Sequence, residues 1–188
     1  YEALEIVRPE ALRMLMLQTH YRSPLVFGDQ RLSEADAALT RIQNAVKNLD
    51  WLLSNAAEGD AAVDASALEA AVAAAREDFV SSMDDDFNAP EALGAVFSLV
   101  AAVNAATAAG AISAADVAAV SAARQAIVEL MGVFGIDVAV ADASDEGAAY
   151  PDAVLTLAAE LAGYDGADKA AAAQALLDAR AAARKEKN

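Results

Sequence analysis

Leu32-Ser33-Glu34-Ala35-Asp36-Ala37-Ala38-Leu39-Thr40-Arg41-Ile42-Gln43-Asn44-Ala45-Val46-Lys47-Asn48-Leu49-Asp50-Trp51-Leu52-Leu53 is the stretch on which the fold turns. Leu32, Ala35, Leu39, Ile42, Val46, Leu49 and Leu53 follow one another at alternating spacings of three and four residues. Side chains spaced in this way fall on one stripe of an α-helix, the a/d seam that antiparallel bundles bury. A strand would need alternation with a period of two, and no such pattern competes anywhere in the chain. Gly59 and Asp60 are read as the break that ends this helix. The fold expected is all-α, an antiparallel helical bundle with a C-terminal helical extension.

Helices are expected on both sides of the seam. Pro9 to His20 opens with a proline suited to a first helical turn, and Glu10 sits at the positive end of the helix dipole. Ala11, Leu12, Met14, Leu15, Met16 and Leu17 leave it almost no polar face, which predicts a central position. Pro24 disfavours a helical Ser23, so Tyr21-Arg22-Ser23-Pro24 ends it. A third helix is expected from Ser66, where Ser66 and Glu69 have the spacing of a capping box, with Leu68, Val72, Ala75, Phe79 and Met83 along it. Asn88 and Glu91 repeat that spacing before a fourth helix through Leu93, Val96, Phe97, Val100 and Val103. Ser113 and Asp116 are read as the cap of a fifth, carried by Val117, Val120, Ile127, Leu130, Met131 and Phe134 and ended by a left-handed Gly135. Residues 1–136 therefore form the bundle. Residues 137–150 have linker composition, and 151–188 form a C-terminal helical segment with a short helix from Pro151 to about Leu161.

Composition agrees with this reading and narrows the function. Hydrophobic residues are 57% of the 188-residue chain and aromatics only 5%. Alanine, the strongest helix former, is about a quarter of the chain, so many small contacts must hold the core. With no cysteine, there is no disulfide framework, no thiolate zinc site and no thiolate nucleophile. No apolar run reaches the ~18 residues that span a bilayer, and no cleavable signal opens the chain, so a soluble, cytoplasmic protein is expected. The net charge of −16 is unevenly placed: residues 1–50 carry −1, 51–168 carry −18 and 169–188 carry +3. The acidic middle reads as a solvated surface, which leaves the two ends for any polyanion contact.

Several stretches together resemble the cysteinyl-tRNA synthetase family. Pro9-Glu10-Ala11-Leu12-Arg13 is similar to the Asp-Ala-Leu-Arg signature of a helical domain in class I synthetases, with glutamate in place of aspartate. Seven residues on, His20-Tyr21-Arg22-Ser23-Pro24-Leu25 resembles a six-residue phrase of the cysteinyl enzymes. Met83-Asp84-Asp85-Asp86-Phe87-Asn88-Ala89-Pro90-Glu91-Ala92-Leu93 resembles their loop before a central helix, with alanine at 89 where the family usually has threonine. Leu176 to Lys187 is similar to their late basic helix.

The resemblance implies a platform for the anticodon stem of cysteine tRNA, spanning 1–136, with the 151–188 segment stopping before a unit that reads the anticodon. It implies a catalytic domain preceding Tyr1 that joins cysteine to tRNA at the expense of ATP and holds zinc for the cysteine thiol. This chain would supply neither catalytic residues nor a metal site, and it would need no membrane or DNA partner. The tRNA-binding candidates are Arg13, His20, Tyr21, Arg22, Arg180, Arg184, Lys185 and Lys187, with Asn88 and Glu91 as a structural cap. Each has a plainer reading: Arg13 and Arg22 bond helix-end carbonyls or Asp84–Asp86, His20 caps carbonyls, and the basic tail is a solvated helix end. The aspartate run reads as acids favoured at a helix N-terminus rather than a Mg²⁺ site. Two alternatives remain open, the helical part of a mycothiol-pathway cysteine ligase and a structural or partner-binding bundle without an RNA role.

Overall fold

A computed structural model of the protein describes residues 8–60, 62–139 and 153–166, together with 169, 171–173, 175, 176 and 179. The described elements are α1 (Pro9–Leu17), α2 (Asp29–Ser54), α3 (Ala65–Asp84), α4 (Ala89–Ala106), α5 (Val117–Val133) and α6 (Ala153–Ala162). No strand forms among the described residues; a single isolated bridge joins Ala57 to Ser113. The chain divides into two compact units, Tyr1–Val140 and Ala141–Asn188.

In the first unit α3 packs along α4, α1 lies on α2, and α5 fills the space against α2, α3 and α4. The seam of α2 is buried: Leu32, Ala35, Leu39, Ile42, Val46 and Leu49 are all 1% exposed or less. Its last position differs from expectation, since Leu52 is buried and Leu53 only half-buried. The helix also ends at Ser54, before Gly59. Asn55 stops it, its side-chain amide donating to the Trp51 carbonyl at 2.7 Å and so satisfying a helix-end acceptor. Across the core, Ala75, Ala92, Ala119, Ala123 and Ala126 are buried beside the leucines and valines. These small side chains let the helix backbones come close, so an alanine-rich chain reaches dense packing without large residues.

Four expectations need correction. α1 is not central: only Ala11, Met14 and Leu15 are buried, and Met16 is 60% exposed. The cap of α3 is Asp64 rather than Ser66. Asp64 accepts the Ala67 N–H at 3.0 Å while the Ser66 hydroxyl donates to the same carboxylate. An ionised acceptor at a helix N-terminus outcompetes a neutral hydroxyl, which turns to serve it. Ser113 and Asp116 do pair before α5, but Asp116 makes no capping bond to the helix. Finally, α4 has the 18 residues and apolar composition that length alone would allow to cross a bilayer. Leu93, Val96, Leu99, Val100 and Val103 of α4 are instead core residues of the bundle.

The first unit closes at a C-terminal motif on α5. Gly135, with φ 66°, donates to the Gly132 carbonyl and Ile136 donates to that of Met131, the paired bonds of a Schellman ending. Ile136 and Val138 are then buried, so the stretch read as linker from 137 begins within the core of this unit. In the second unit α6 ends at Ala162, Gly163 follows with φ 65°, and the Tyr164 N–H donates to the Ala158 carbonyl. Residues 140–152, expected to hold the linker and the start of the short helix, and most of the expected last helix lie outside the described residues.

Candidate functional site

The two most distinctive phrases of the sequence meet in space. α1 stops at Leu17, and the chain turns through His20-Tyr21-Arg22-Ser23, with the Ser23 N–H donating to the His20 carbonyl at 2.8 Å. The His20 and Tyr21 rings stack 4.8 Å apart, and the Arg22 guanidinium lies 5.4 Å from the centre of the Tyr21 ring. All three side chains converge on Asp86, 64 to 66 residues away. The Tyr21 hydroxyl donates to Asp86 Oδ1 at 2.7 Å, and Arg22 approaches both carboxylate oxygens at 3.1 and 2.9 Å. His20 Nε2 stands 3.9 Å from Oδ2. The hydrogen bond to the carboxylate raises the pKa of the Tyr21 hydroxyl, since an ionised phenol would face an acceptor instead of donating to one.

Backbone geometry presents Asp86 to this cluster. Asp84 ends α3, Asp85 is its C-cap, and Asp86 and Phe87 both take left-handed conformations, φ 56° and 52°. Aspartate tolerates this region better than most residues, whereas a phenylalanine there is a real outlier. The strain is held in place by Phe87 N–H donating to the Met83 carbonyl, Asn88 N–H to that of Ser82, and by the start of α4. Asn88 Oδ1 accepts the Glu91 N–H at 3.4 Å, and its amide donates to Glu91 Oε2 at 2.7 Å. Glu91 therefore returns to the cap's side chain, not to its backbone N–H. Asn88, and neither Asp84 nor Asp85, makes the capping bond to α4.

Under Tyr21 lies an apolar hollow of about 570 Å³ lined by Met16, Leu17, Met83, Phe87, Ala89 and Phe134 among others. Arg13 binds the turn beside it, its guanidinium donating to the Gly135 carbonyl. That carbonyl belongs to the Schellman turn, so Arg13 does bond a helix end. His20 does not: its Nδ1 accepts the Arg22 N–H at 3.3 Å. Arg180, Arg184, Lys185 and Lys187 lie outside the described residues.

Three other polar ties join distant parts of the chain. Arg8, just ahead of α1, donates to Asp36 at 2.8 and 3.0 Å, to Gln43 at 3.0 Å and to Thr40 at 3.1 Å, which anchors α1 along α2. Arg124 on α5 makes a two-bond pair with Asp50 on α2. Asp116, 1% exposed, accepts N–H bonds from Ala62, Val63 and Ser113 and the Ser113 hydroxyl. These donors, the Ala62 N–H foremost, lower its pKa to about 2. It joins the α2–α3 connection to the α4–α5 connection.

The chain's donor set does not fit a thiolate zinc centre, because it has no cysteine and one histidine. Among the described residues no group of three or more histidine, aspartate or glutamate side chains is placed to hold a metal ion.

Comparison with known proteins adds a family. The family model for the DALR domain matches residues 78–139, from late α3 past the Schellman turn. Asp86, Asn88 and Glu91 fall inside that match; Pro9–Arg13 and His20–Arg22 fall outside it. The chain is similar to the cysteine–tRNA ligase of Desulfitobacterium hafniense, 34% identical over all of this chain and 35% of the relative. The Geobacter metallireducens enzyme of the same name is 39% identical over 72% of this chain and 28% of its own length. That of Trichlorobacter lovleyi is 46% identical over 55% of this chain and 21% of the relative. The chain thus spans about a third or less of the curated relatives it matches.

Proposed function

We propose that the chain is the C-terminal, DALR-bearing region of a cysteine–tRNA ligase and acts there as a non-catalytic tRNA-binding platform. In the whole protein it would support the ATP-dependent attachment of cysteine to cysteine tRNA. ATP and zinc would be held by a separate catalytic domain, and the setting would be the cytoplasm. The observation that carries this reading is the clasp at Asp86. Two phrases that each resemble the cysteinyl enzymes, some sixty residues apart, form one contact that fixes the turn after α1 against the entry to α4. A generic helical bundle would give no reason for those two phrases to be partners.

The geometry supports a division of the candidate residues by role. Tyr21 and Arg22 face Asp86, and Arg13 holds the Gly135 carbonyl, so we assign these to shaping the platform. Arg180, Arg184, Lys185 and Lys187 remain our candidates for phosphate contact, with His20 at the edge of the clasp.

Electrostatic contact to phosphate gives RNA affinity that falls as salt rises, roughly in proportion to the contacts made. The protein, tested alone by filter binding, is expected to bind tRNA weakly with a steep salt dependence. Replacing Arg184 and Lys185 by alanine should weaken all tRNAs alike and flatten the slope. It should support no cysteine-dependent ATP–pyrophosphate exchange above a no-protein control. Exchange activity in a sample free of host enzyme, or no tRNA binding even at low salt, would overturn the reading.

A further inference from the structure

The arginines of the first unit are nearly all engaged inside it. Arg8 is held by Asp36, Thr40 and Gln43, Arg13 by a carbonyl, Arg22 by Asp86, and Arg31 by Glu34. Arg76 and Arg124 are paired with Glu129 and Asp50. Arg41 stands apart: it is exposed and has no hydrogen bond or ion pair with any described residue.

Its surroundings are unusual for a chain of net charge −16. Along α2, Ser33, Thr40, Arg41, Asn44 and Asn48 line a groove of about 540 Å³ that Asn104 of α4 completes. The lining contains one carboxylate, Asp36, and its Oδ1 already accepts two N–H bonds from Arg8. Arg41 is therefore left as the local excess charge. The hollow between α3 and α4 is the opposite case, since Asp78 and Glu91 line it with serines and no cation. A polyanion approaching this unit is repelled there and admitted along α2.

The chemistry of the groove is specific. Each asparagine amide offers two donors and an acceptor, and each hydroxyl can do both. Such groups bond phosphate oxygens and ribose hydroxyls, and they position a nucleic acid without reading its sequence. From Ser33 to Asn48 the helix rises roughly 22 Å, enough to follow a stretch of one strand. We infer that this face of α2, centred on Arg41, is the surface on which the first unit receives the sugar–phosphate backbone of RNA. The inference rests on the tRNA-binding reading above and locates a contact for it that the two chain ends do not supply.

The test uses the protein with tRNA at several salt concentrations. Arg41→Ala should lower affinity by about three- to tenfold at low salt and reduce the salt slope by roughly 0.7–0.9, one phosphate contact. Asn44→Ala with Asn48→Ala should weaken binding several-fold and leave the slope unchanged, because amides release no counterions. Arg41→Lys should restore the slope. Arg76→Ala removes the same charge from α3 and serves as the control, expected to bind like the parent. All of these side chains are on the surface, and melting curves confirm that each variant is folded. If the parent binds tRNA and the α2 variants bind equally well, or if Arg76→Ala loses as much as Arg41→Ala, the inference fails and the platform reading stands. If the α2 variants instead lose a protein partner while tRNA binding is intact, the groove is a protein interface and the inference fails. If the parent binds no tRNA, both fall.

Discussion

Asp86 and Asp116 show how single carboxylates join parts of this chain that are distant in sequence. Asp86 is partly exposed, so its ion pair with Arg22 adds little stability on its own, about 0–1 kcal/mol for pairs of this kind. Its effect is read better at Tyr21. Asp86→Asn keeps a residue suited to the left-handed backbone and removes the charge. The Tyr21 pKa should then fall back toward its ordinary value, seen as the difference between ultraviolet titrations of Asp86→Asn with and without Tyr21→Phe. An unchanged Tyr21 titration would mean that the hydroxyl does not donate to Asp86. Asp116 predicts a pH dependence. Its folded pKa of about 2 lies below its ordinary 3.8, so the stability it contributes is present above pH 4 and lost as pH falls toward 2. Asp116→Asn should melt lower at neutral pH and lose less than the parent between pH 4 and 2. Parallel curves would show that Asp116 does not titrate with folding. The sequence marked Ser113 and Asp116 as a local pair, but Ala62 and Val63 contribute only backbone N–H groups, which leave no trace in side-chain pattern. The Asp86 clasp is half legible in the sequence: both phrases stand out and Arg22 is a natural partner for the aspartates, yet which aspartate it meets is set by two left-handed residues that no periodicity reveals.

At the scale of elements, the α2 seam was legible because burial repeats with the helix period, and six of its seven positions are in the core. At its end Leu52 is buried in place of Leu53, in the last turn before Asn55 stops the helix. Ile42 sits at the middle of the seam and is fully buried, so Ile42→Ala should cost about 2–5 kcal/mol in denaturant unfolding. A variant as stable as the parent would put the seam in another register. Helix starts were less legible, because several residue types can cap and the choice among neighbours depends on the geometry of the incoming loop. Asp64 won over Ser66, and melting should follow: Asp64→Ala should lower the transition temperature more than Ser66→Ala. At the start of α4 the Asn88 side chain accepts the Glu91 N–H. Asn88→Ala should cost about 0.5–2 kcal/mol, and Mg²⁺ should change the melting of neither form. A Mg²⁺-dependent rise in the parent that disappears in the variant would mark a metal site instead.

For the whole molecule, charge is the property most legible in the sequence and least informative until the fold is known. The −18 carried by residues 51–168 is plain from the letters, but the relatively neutral face of α2 becomes a place only when Arg8 is seen on Asp36. Composition likewise could not tell α4 from a membrane span, because a core helix of a bundle and a bilayer helix are both apolar; only its neighbours decide. The charge excess also sets a prediction of its own. At low ionic strength the acids repel across a wide surface, while attractive pairs such as Arg31–Glu34 and Arg76–Glu129 are exposed. The Debye length shrinks from about 30 Å at 0.01 M salt to about 10 Å at 0.1 M, which screens the many distant repulsions more than the close contacts. Raising KCl from 0.01 to 0.5 M should therefore raise the melting temperature, by relief of self-repulsion. The same change should weaken tRNA binding, since counterion release opposes it. Opposite signs are the useful feature: a loss of RNA binding at high salt, measured on a protein that has become more stable, cannot be put down to unfolding. A melting temperature that falls with KCl would show that the ion pairs outweigh the acidic surface.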